Sequence, residues 1–181
     1  MTEETAQIIS SIVIGIGTGL ASSLSFLWFM TKVRPSLEIS DRVAHNKIEI
    51  DGTKHTCFRF KVINKTWKSR IYDVEAQLVL ITYINSDTGQ DIFMTPIPLI
   101  KDKTWSLNKI SKSDTHAEYA HQFITLENLH DIWTDKHNIE LRVKAKHSFS
   151  GFSRTTNKRY YNPTSSLKNG SFKFGNTTDI G

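Results

Sequence analysis

The residues that could carry out chemistry are few and poorly spaced. His116 and His121 are the closest pair among the seven histidines, and Glu118 lies between them. On a strand, residues five apart point to opposite faces, whereas the helical zinc-protease motif places two histidines four apart on one face. The spacing therefore predicts no metal site, and His130 and His137 are explained as surface histidines.

Cys57 is the only cysteine, so the chain can form neither an internal disulfide nor a zinc site built on several thiolates. Because it stands between Thr56 and Phe58 in a predicted strand, a buried structural thiol is favoured over a nucleophile. The sequence contains no Gly-x-Ser-x-Gly, phosphate-loop or kinase motif. We therefore predict no catalytic residue, no cofactor and no enzyme activity, with a triad assembled only in space as the alternative.

An uncharged N-terminal segment is predicted to cross a membrane. Residues 8–30 carry no charge, and a helix of that length, at about 1.5 Å per residue, covers a hydrocarbon core of roughly 30 Å. A secretory signal peptide is the alternative, but it needs positive charge before the apolar part, where this chain has Glu3 and Glu4. Lys32 and Arg34 follow the segment, so the positive-inside bias places the rest of the chain in the cytoplasm.

The predicted location is thus a bacterial inner membrane. The predicted organisation is an extracytoplasmic N-terminus over residues 1–7, a membrane helix over residues 8–30 and one cytosolic domain over residues 31–181. Trp28, Lys32 and Arg34 are expected at the cytoplasmic membrane surface, because aromatic and basic side chains favour the headgroup level. The lipid bilayer is the first predicted partner.

Small residues recur at every fourth position of the membrane segment: Ser11, Gly15, Gly19 and Ser23. This spacing aligns them on one helix face and lets two helices approach closely in lipid, so a homo-oligomer is predicted. The alternative is that Gly and Ser are simply common in membrane helices. A dinucleotide-binding loop at Gly15, Gly17 and Gly19 is discarded because no strand precedes it.

The rest of the chain reads as all-β. Its short alternating segments predict an immunoglobulin-like β-sandwich of about eight strands with one short helix. Residues 37–43 read as the first strand, Asp51 and Gly52 as a hairpin turn, and residues 126–133 as a helix capped by Thr125. The other predicted strands cover residues 58–62, 72–83, 92–97, 104–110, 118–125, 139–145, 154–161 and 171–174.

Two of these strands carry a specific prediction about their faces. Residues 139–145 place Ile139, Leu141, Val143 and Ala145 inward, which leaves a strongly basic outer face. Residues 72–83 alternate at first, but Val79 and Ile81 make the far end apolar on both faces. That end is predicted to be centrally buried or to form an interface. A turn is predicted over residues 85–90.

The order of short motifs resembles the cytosolic immunoglobulin-like domain of bacterial inward-rectifier potassium channels. The motifs that carry the resemblance are Arg34-Pro35, Ser40-Asp41-Arg42-Val43, Phe60-Lys61-Val62-Ile63-Asn64, Glu75-Ala76-Gln77-Leu78, Ser150-Gly151-Phe152, Thr156 and Gly170-Ser171-Phe172. The resemblance implies a cytosolic domain that assembles around a symmetry axis and meets lipid headgroups, and here only Lys32 and Arg34 match that basic group. Such a channel needs two membrane helices and a filter, so this chain cannot conduct by that mechanism.

The net charge does not decide which partner the predicted cytosolic domain binds. The net charge is +5, which suits anionic headgroups or nucleic acid equally. Residues 154–173 interleave basic and aromatic side chains in a way that can bind single-stranded nucleic acid, but a half-exposed strand gives the same pattern and is favoured. An unknown protein or small-molecule regulator is also expected.

From these features the sequence predicts a non-enzymatic membrane effector. Its cytosolic sandwich would sense a signal or partner, and its self-associating helix would perturb the membrane, an arrangement that looks like effectors of bacterial phage defence. The alternative is a membrane-anchored sensor or scaffold that binds lipid headgroups, a nucleotide or a protein.

Overall fold

The N-terminal segment forms one long helix. The computed structural model describes residues 3–50, 52–86, 89–111 and 113–181. Helix α1 covers Glu3–Lys32 and stands apart from the rest of the chain, with its apolar side chains exposed. The part from Glu3 to Thr31 is long and apolar enough to cross a membrane. This helix agrees with the predicted membrane span over residues 8–30. Residues 1 and 2 of the predicted N-terminal tail, residues 1–7, lie outside the described residues.

Two β-sheets follow. Within the described residues the remaining elements are β1 (Leu37–Ile39), β2 (Val43–Ile50), β3 (Thr53–Asn64), β4 (Ile71–Ser86), β5 (Gly89–Ile97), β6 (Lys103–Leu107), β7 (Ala120–Thr125), α2 (Leu129–Ile132), β8 (His137–His147), β9 (Ser153–Tyr160), α3 (Pro163–Ser166) and β10 (Leu167–Asn169). The prediction of an all-β domain is confirmed, with ten described strands rather than about eight and two short helices rather than one.

The first sheet is built around β3, which pairs antiparallel with β1, β2 and β7, while β10 adds in parallel to β2. The second sheet has the order β5-β4-β8-β9, and β6 pairs with the start of β4. One hydrophobic core lies between the two sheets and draws on both, with Phe58, Phe60 and Val62 from β3 and Leu78, Leu141 and Val143 from β4 and β8.

Alternation along two strands decides which face is buried, as the sequence predicted. Ile139, Leu141, Val143 and Ala145 of β8 are fully buried. Val79 and Ile81 of β4 are also buried, which agrees with the prediction for the doubly apolar end of that strand. The outer face of the second sheet is therefore polar except around Val79 and Ile81, which form an apolar centre.

The hairpin between β2 and β3 forms where the turn was predicted. Ile50 pairs with Thr53, and Gly52 adopts φ +76, a left-handed conformation that glycine accepts readily. Asp51 lies outside the described residues. In the hairpin between β4 and β5, Ser86 pairs with Gly89, and residues 87 and 88 of the predicted turn likewise lie outside the described residues.

Three predicted elements differ from the structure. Residues 37–43 form no continuous strand, because the pairing with β3 is only half made at Ser40. The Ser40 amide donates to the Lys61 carbonyl at 2.9 Å, but the Lys61 amide donates to the Ser40 hydroxyl, and the Ser40 carbonyl accepts from the Tyr160 hydroxyl instead. The helix predicted over residues 126–133 shortens to α2, since the Thr125 hydroxyl accepts from the Glu127 amide in a turn and Asn128 takes the N-cap position. Residues 171–174 form only an isolated bridge from Phe172 to Ile180.

Candidate anion-binding site

A buried carboxylate organises the outer face of the second sheet. Glu140 of β8 is 2% exposed and accepts hydrogen bonds from two arginines. The Arg142 Nε lies 2.6 Å from Glu140 Oε1, and Arg159 places Nη2 at 2.8 Å and Nε at 3.0 Å from Oε2. One carboxylate therefore fixes the direction of two guanidinium groups, both of which reach the surface.

Strand pairing explains why these three side chains meet. Residues two apart on a strand share a face, so Glu140 and Arg142 are neighbours on β8. In the antiparallel register of β8 and β9, Glu140 lies directly opposite Arg159. The Tyr83 hydroxyl of β4 accepts a further hydrogen bond from Arg159 Nη1 at 3.1 Å, which ties a third strand to the cluster.

The two arginines keep Glu140 ionised although it is buried. Burial alone would raise the pKa of this carboxyl, but the hydrogen bonds from Arg142 and Arg159 outweigh it and hold the pKa below its ordinary value. The hydrogen bond to Glu140 in turn raises the pKa of Arg159. The cluster is thus two cations around one anion, with an excess positive charge.

A cleft of about 410 Å³ opens beside Arg142. We call it the basic cleft, and its lining residues are Glu75, Ala76, Gln77, Asp102, Lys103, Arg142, Lys144 and Thr155. Lys103 is paired with Glu75 at 2.8 Å, and their hydrogen bond lowers the pKa of Glu75 and raises that of Lys103. Lys144 is exposed and lies opposite Glu75, and its charge also lowers the pKa of Glu75. It forms no close ion pair among the described residues, so its ammonium is open to an anion in the cleft.

The geometry suits a carboxylate or another small oxyanion. Arg142 is 31% exposed in its side chain and uses Nε toward Glu140 and Nη2 toward the Met94 sulfur, so other N–H donors of the fork remain available. A guanidinium fork matches the two oxygens of a carboxylate, and an adjacent ammonium adds a second charge. Gln77 and Thr155 offer neutral hydrogen-bonding groups on the same wall.

The sequence predicted part of this site. Alternation along β8 correctly placed Arg142, Lys144 and Lys146 on a basic outer face, but Glu140 was expected to be exposed with them. Neither Arg159 nor Tyr83 could be assigned to the cluster, because the register between strands is set by contacts distant in sequence. The only local sign of the cluster in the sequence was Glu140, an acidic residue two positions before Arg142 on the same strand face.

The predicted histidine pair lies elsewhere. His116 is exposed in the loop before β7, where its amide donates to Asp114 Oδ1, and His121 packs on the Phe123 ring from β7. Burial, and then the nearby Lys101, lowers the pKa of His121. The Glu118 carboxylate between them accepts a hydrogen bond from the Asn108 amide. The described residues hold no group of three or more metal-binding side chains.

The residues predicted to act in or near the membrane lie on helix α1 or directly after its end. Ser11, Gly15, Gly19 and Ser23 are exposed along α1, and the Ser11 and Ser23 hydroxyls donate to carbonyls within the helix. Trp28 lies in the last turns of the helix, Lys32 is its last residue and Arg34 is exposed just beyond it. Helix association and headgroup contact by these residues stay predictions.

Cys57 is fully buried, and its Sγ lies 2.9 Å from Asn46 Oδ1, so the prediction of a buried thiol is confirmed.

The fold and the cleft together define an all-β protein with an N-terminal helix of membrane-spanning length and a basic cleft on its second sheet. No family model matches the chain. The chain is 28% identical over 158 residues to Malonyl-[acyl-carrier protein] O-methyltransferase 2 of Ilyobacter polytropus, an alignment that covers 78% of this chain. The chain spans 61% of the length of that curated protein.

This similarity corrects the functional prediction from sequence. The protein was predicted to be a non-enzymatic membrane effector, with an anchored sensor or scaffold as the alternative, and its relative is named as an enzyme. The prediction of no enzyme activity is overturned by the same finding.

Proposed function

We propose that the protein takes part in an enzymatic reaction on a carboxylate-bearing acyl substrate, and that the basic cleft binds the carboxylate. The observation that carries this proposal is Arg142, whose guanidinium is fixed by Glu140 at 2.6 Å and reaches the cleft beside Lys144. The similarity to an enzyme named for a malonyl group supports the choice of substrate class, because a malonyl group ends in a free carboxylate.

In methyl transfer to such a group, a carboxylate oxygen forms a bond to the methyl carbon of a sulfonium donor. The carbon–sulfur bond breaks, its electron pair goes to sulfur, and a neutral ester and a thioether result. The cleft residues would contribute to binding and orientation of the acceptor. The described sheets are antiparallel apart from β10, rather than a parallel sheet with helical crossovers and a glycine-rich loop, so the proposal concerns the acceptor and assigns no donor site.

Anchoring and orientation complete the proposal. Helix α1 would span a bacterial inner membrane with the sandwich in the cytoplasm, where acyl thioesters are handled, and Lys32 and Arg34 support that orientation. The immunoglobulin-like relationship to inward-rectifier channel domains and a homo-oligomer formed through α1 are further proposals, supported by the motif order and by the small-residue spacing.

Binding of a malonyl thioester to the full-length protein in nanodiscs tests the proposal. Calorimetric titration should show tighter binding of the free acid than of its methyl ester. Arg142→Gln should abolish the preference, because the fork that recognises two carboxylate oxygens is lost. Arg154→Gln is the matched control: it removes the same charge from β9 at a position opposite the inward-facing Ala145, away from the cleft.

Equal binding of acid and ester, or a preference that survives Arg142→Gln, would overturn the proposed site. A second measurement, methyl ester formation with S-adenosylmethionine, tests the reaction class separately. A product that depends on Arg142 supports methyl transfer. Carboxylate binding without any product would reject methyl transfer and leave the binding site standing.

A further inference from the structure

Two loops of the sandwich are attached to the chain where it leaves helix α1. Residues 65–70 form the first loop and residues 148–152 form the second. The Ser150 hydroxyl donates to the Val33 carbonyl at 2.7 Å, and Val33 is only 7% exposed. The first loop makes three hydrogen bonds to Ser36: the Lys65 amide and the Thr66 hydroxyl donate to its carbonyl at 2.8 and 3.3 Å, and the Thr66 hydroxyl accepts from its amide at 2.9 Å. Both loops therefore contact the chain within four residues of the end of α1.

The loops also hold each other. The Ser69 and Ser148 hydroxyls are 2.8 Å apart, and the Ser148 amide donates to the Arg70 carbonyl at 3.3 Å. At the end of β8, the buried His147 ring accepts hydrogen bonds at Nδ1 from the amides of Phe149 and Ser150 in the second loop. The backbone of the two loops is consequently held in place by the fold.

The side chains on this surface include large aromatic residues left in contact with solvent. Trp67 of the first loop is 68% exposed and Phe149 of the second is 79% exposed. Trp105 of β6 is 77% exposed and lines a cleft of about 700 Å³ together with Phe149. A concentration of exposed aromatic surface on a folded domain marks an interaction site. We call Trp67, Trp105, Phe149 and the two loops the anchor-side end.

Basic groups surround the aromatic ones. Lys68 Nζ lies 5.5 Å from the Trp67 ring centre, and the Arg70 guanidinium lies 6.0 Å from that of Tyr72. Arg34 is exposed on the chain that leaves the helix. Lys146 lines the cleft of Trp105 and Phe149, and Asp73 is the single acidic residue among the described residues that line it. The surface is therefore aromatic and basic at once.

We propose that the anchor-side end lies on the headgroup layer of the anionic bilayer that α1 crosses, with Trp67 and Phe149 at the acyl boundary and Lys68 and Arg70 on lipid phosphates. Amphipathic aromatic rings and cations favour this depth of a bilayer. Lys and Arg are attracted to anionic leaflets within a Debye length of the surface, and the loop that carries Lys68 and Arg70 is hydrogen-bonded to Ser36, shortly after the helix end. The proposal rests on α1 spanning the membrane and is independent of the basic cleft.

Quenching of tryptophan fluorescence by bromine-labelled lipid tests the contact. The full-length chain with Trp28→Phe, which removes the tryptophan of the helix, is reconstituted into vesicles of phosphatidylcholine alone or mixed with phosphatidylglycerol. Quenching should be strong in the anionic vesicles, weaker in the neutral ones, and mostly lost when Trp67→Phe and Trp105→Phe are both added. Trp133, which is 2% exposed in the core, provides the unquenched emission that reports a folded domain.

Charge variants separate specific contact from general attraction. Lys68→Gln with Arg70→Gln should reduce quenching in anionic vesicles to the neutral level. Lys54→Gln with Lys136→Gln removes the same charge at the opposite end of β3 and β8 and should leave quenching unchanged. Equal effects of both pairs, or quenching indifferent to lipid charge, would overturn the proposal. Efficient crosslinking of Phe149→Cys between two copies, without quenching, would assign the surface to a second chain and also overturn it.

Discussion

Lys61 is a charged residue at an outward-facing position of a strand that is nevertheless buried. Alternation along β3 correctly separates Lys61 from the core residues Phe60 and Val62, yet Lys61 is only 3% exposed. Its ammonium donates to the carbonyls of Lys173, Gly175 and Thr177 at 2.8, 2.8 and 2.7 Å. Burial lowers the pKa of Lys61, and the charge of Glu38 partly offsets the shift. The strand's outer face is thus covered by the C-terminal segment.

Replacement of Lys61 should destabilise the protein strongly. In Lys61→Met the apolar stem remains but three partly buried carbonyls lose their donor, so the free energy of unfolding should fall by about 3 kcal/mol. Urea unfolding of the full chain in detergent, followed by the emission of the buried Trp133, measures it. Lys65→Met is the matched control, because its ion pair with Glu38 is half exposed and should contribute under about 1 kcal/mol. Equal losses in the two variants would contradict the role of Lys61.

At the scale of elements, the sequence predicted best the strands with one buried face. The alternation of β8, the hairpin of β2 and β3 and the buried end of β4 all follow from side-chain pattern and turn chemistry. The break at Ser40 does not, because it depends on Tyr160, which is distant in the chain. β10 was missed for a related reason: three residues, Leu167–Asn169, carry too little pattern, and their pairing with β2 defines the strand.

The candidate site divides in the same way. Arg142 and Lys144 were placed on one face by local alternation, while the contribution of Arg159 depends on the register of β8 and β9. Physical pattern predicts which way a side chain points, but it does not predict which partner a neighbouring strand brings. For that reason the basic face was predicted and its organising carboxylate, Glu140, was not.

The loop after β8 should make stability depend on pH. Burial lowers the pKa of His147 below its ordinary value of 6.5, so the fold favours the neutral ring that accepts two amide hydrogen bonds at Nδ1. The contribution of the neutral His147 ring to the free energy of unfolding is complete above pH 6.5. It is lost as the pH falls through the lower pKa of the folded state. His147→Asn keeps an acceptor oxygen near the Nδ1 position and cannot be protonated.

The measurement is the difference in free energy of unfolding between wild type and His147→Asn at about pH 8 and about pH 5. The advantage of the wild type should shrink or reverse at the lower pH. His45 and His121 also have lowered pKa values, so the wild type loses stability in acid for other reasons and only the difference is diagnostic. A difference that stays constant with pH would show that protonation of His147 does not affect the loop.

At the scale of the whole molecule, the charges on either side of α1 differ in sign. Glu3 and Glu4 stand in its first turn, whereas Lys32 and Arg34 stand at and after its end. The sandwich itself carries most of the excess positive charge, and both the basic cleft and the anchor-side end require it to lie on the side where anionic groups are found. The orientation of the chain is therefore the property on which both proposals depend.

Cysteine labelling should show the N-terminus outside and the sandwich inside. With a membrane-impermeant maleimide on spheroplasts, Thr5→Cys should react, whereas Ser113→Cys, at an exposed position of the sandwich, should react only after the membrane is permeabilised. The wild type is the control, since Cys57 is fully buried and should stay unlabelled in the folded protein. The opposite pattern would mean that the basic residues after α1 do not set the orientation. Adding Glu3→Lys and Glu4→Lys should weaken the preference, because the charge difference across the helix is then removed.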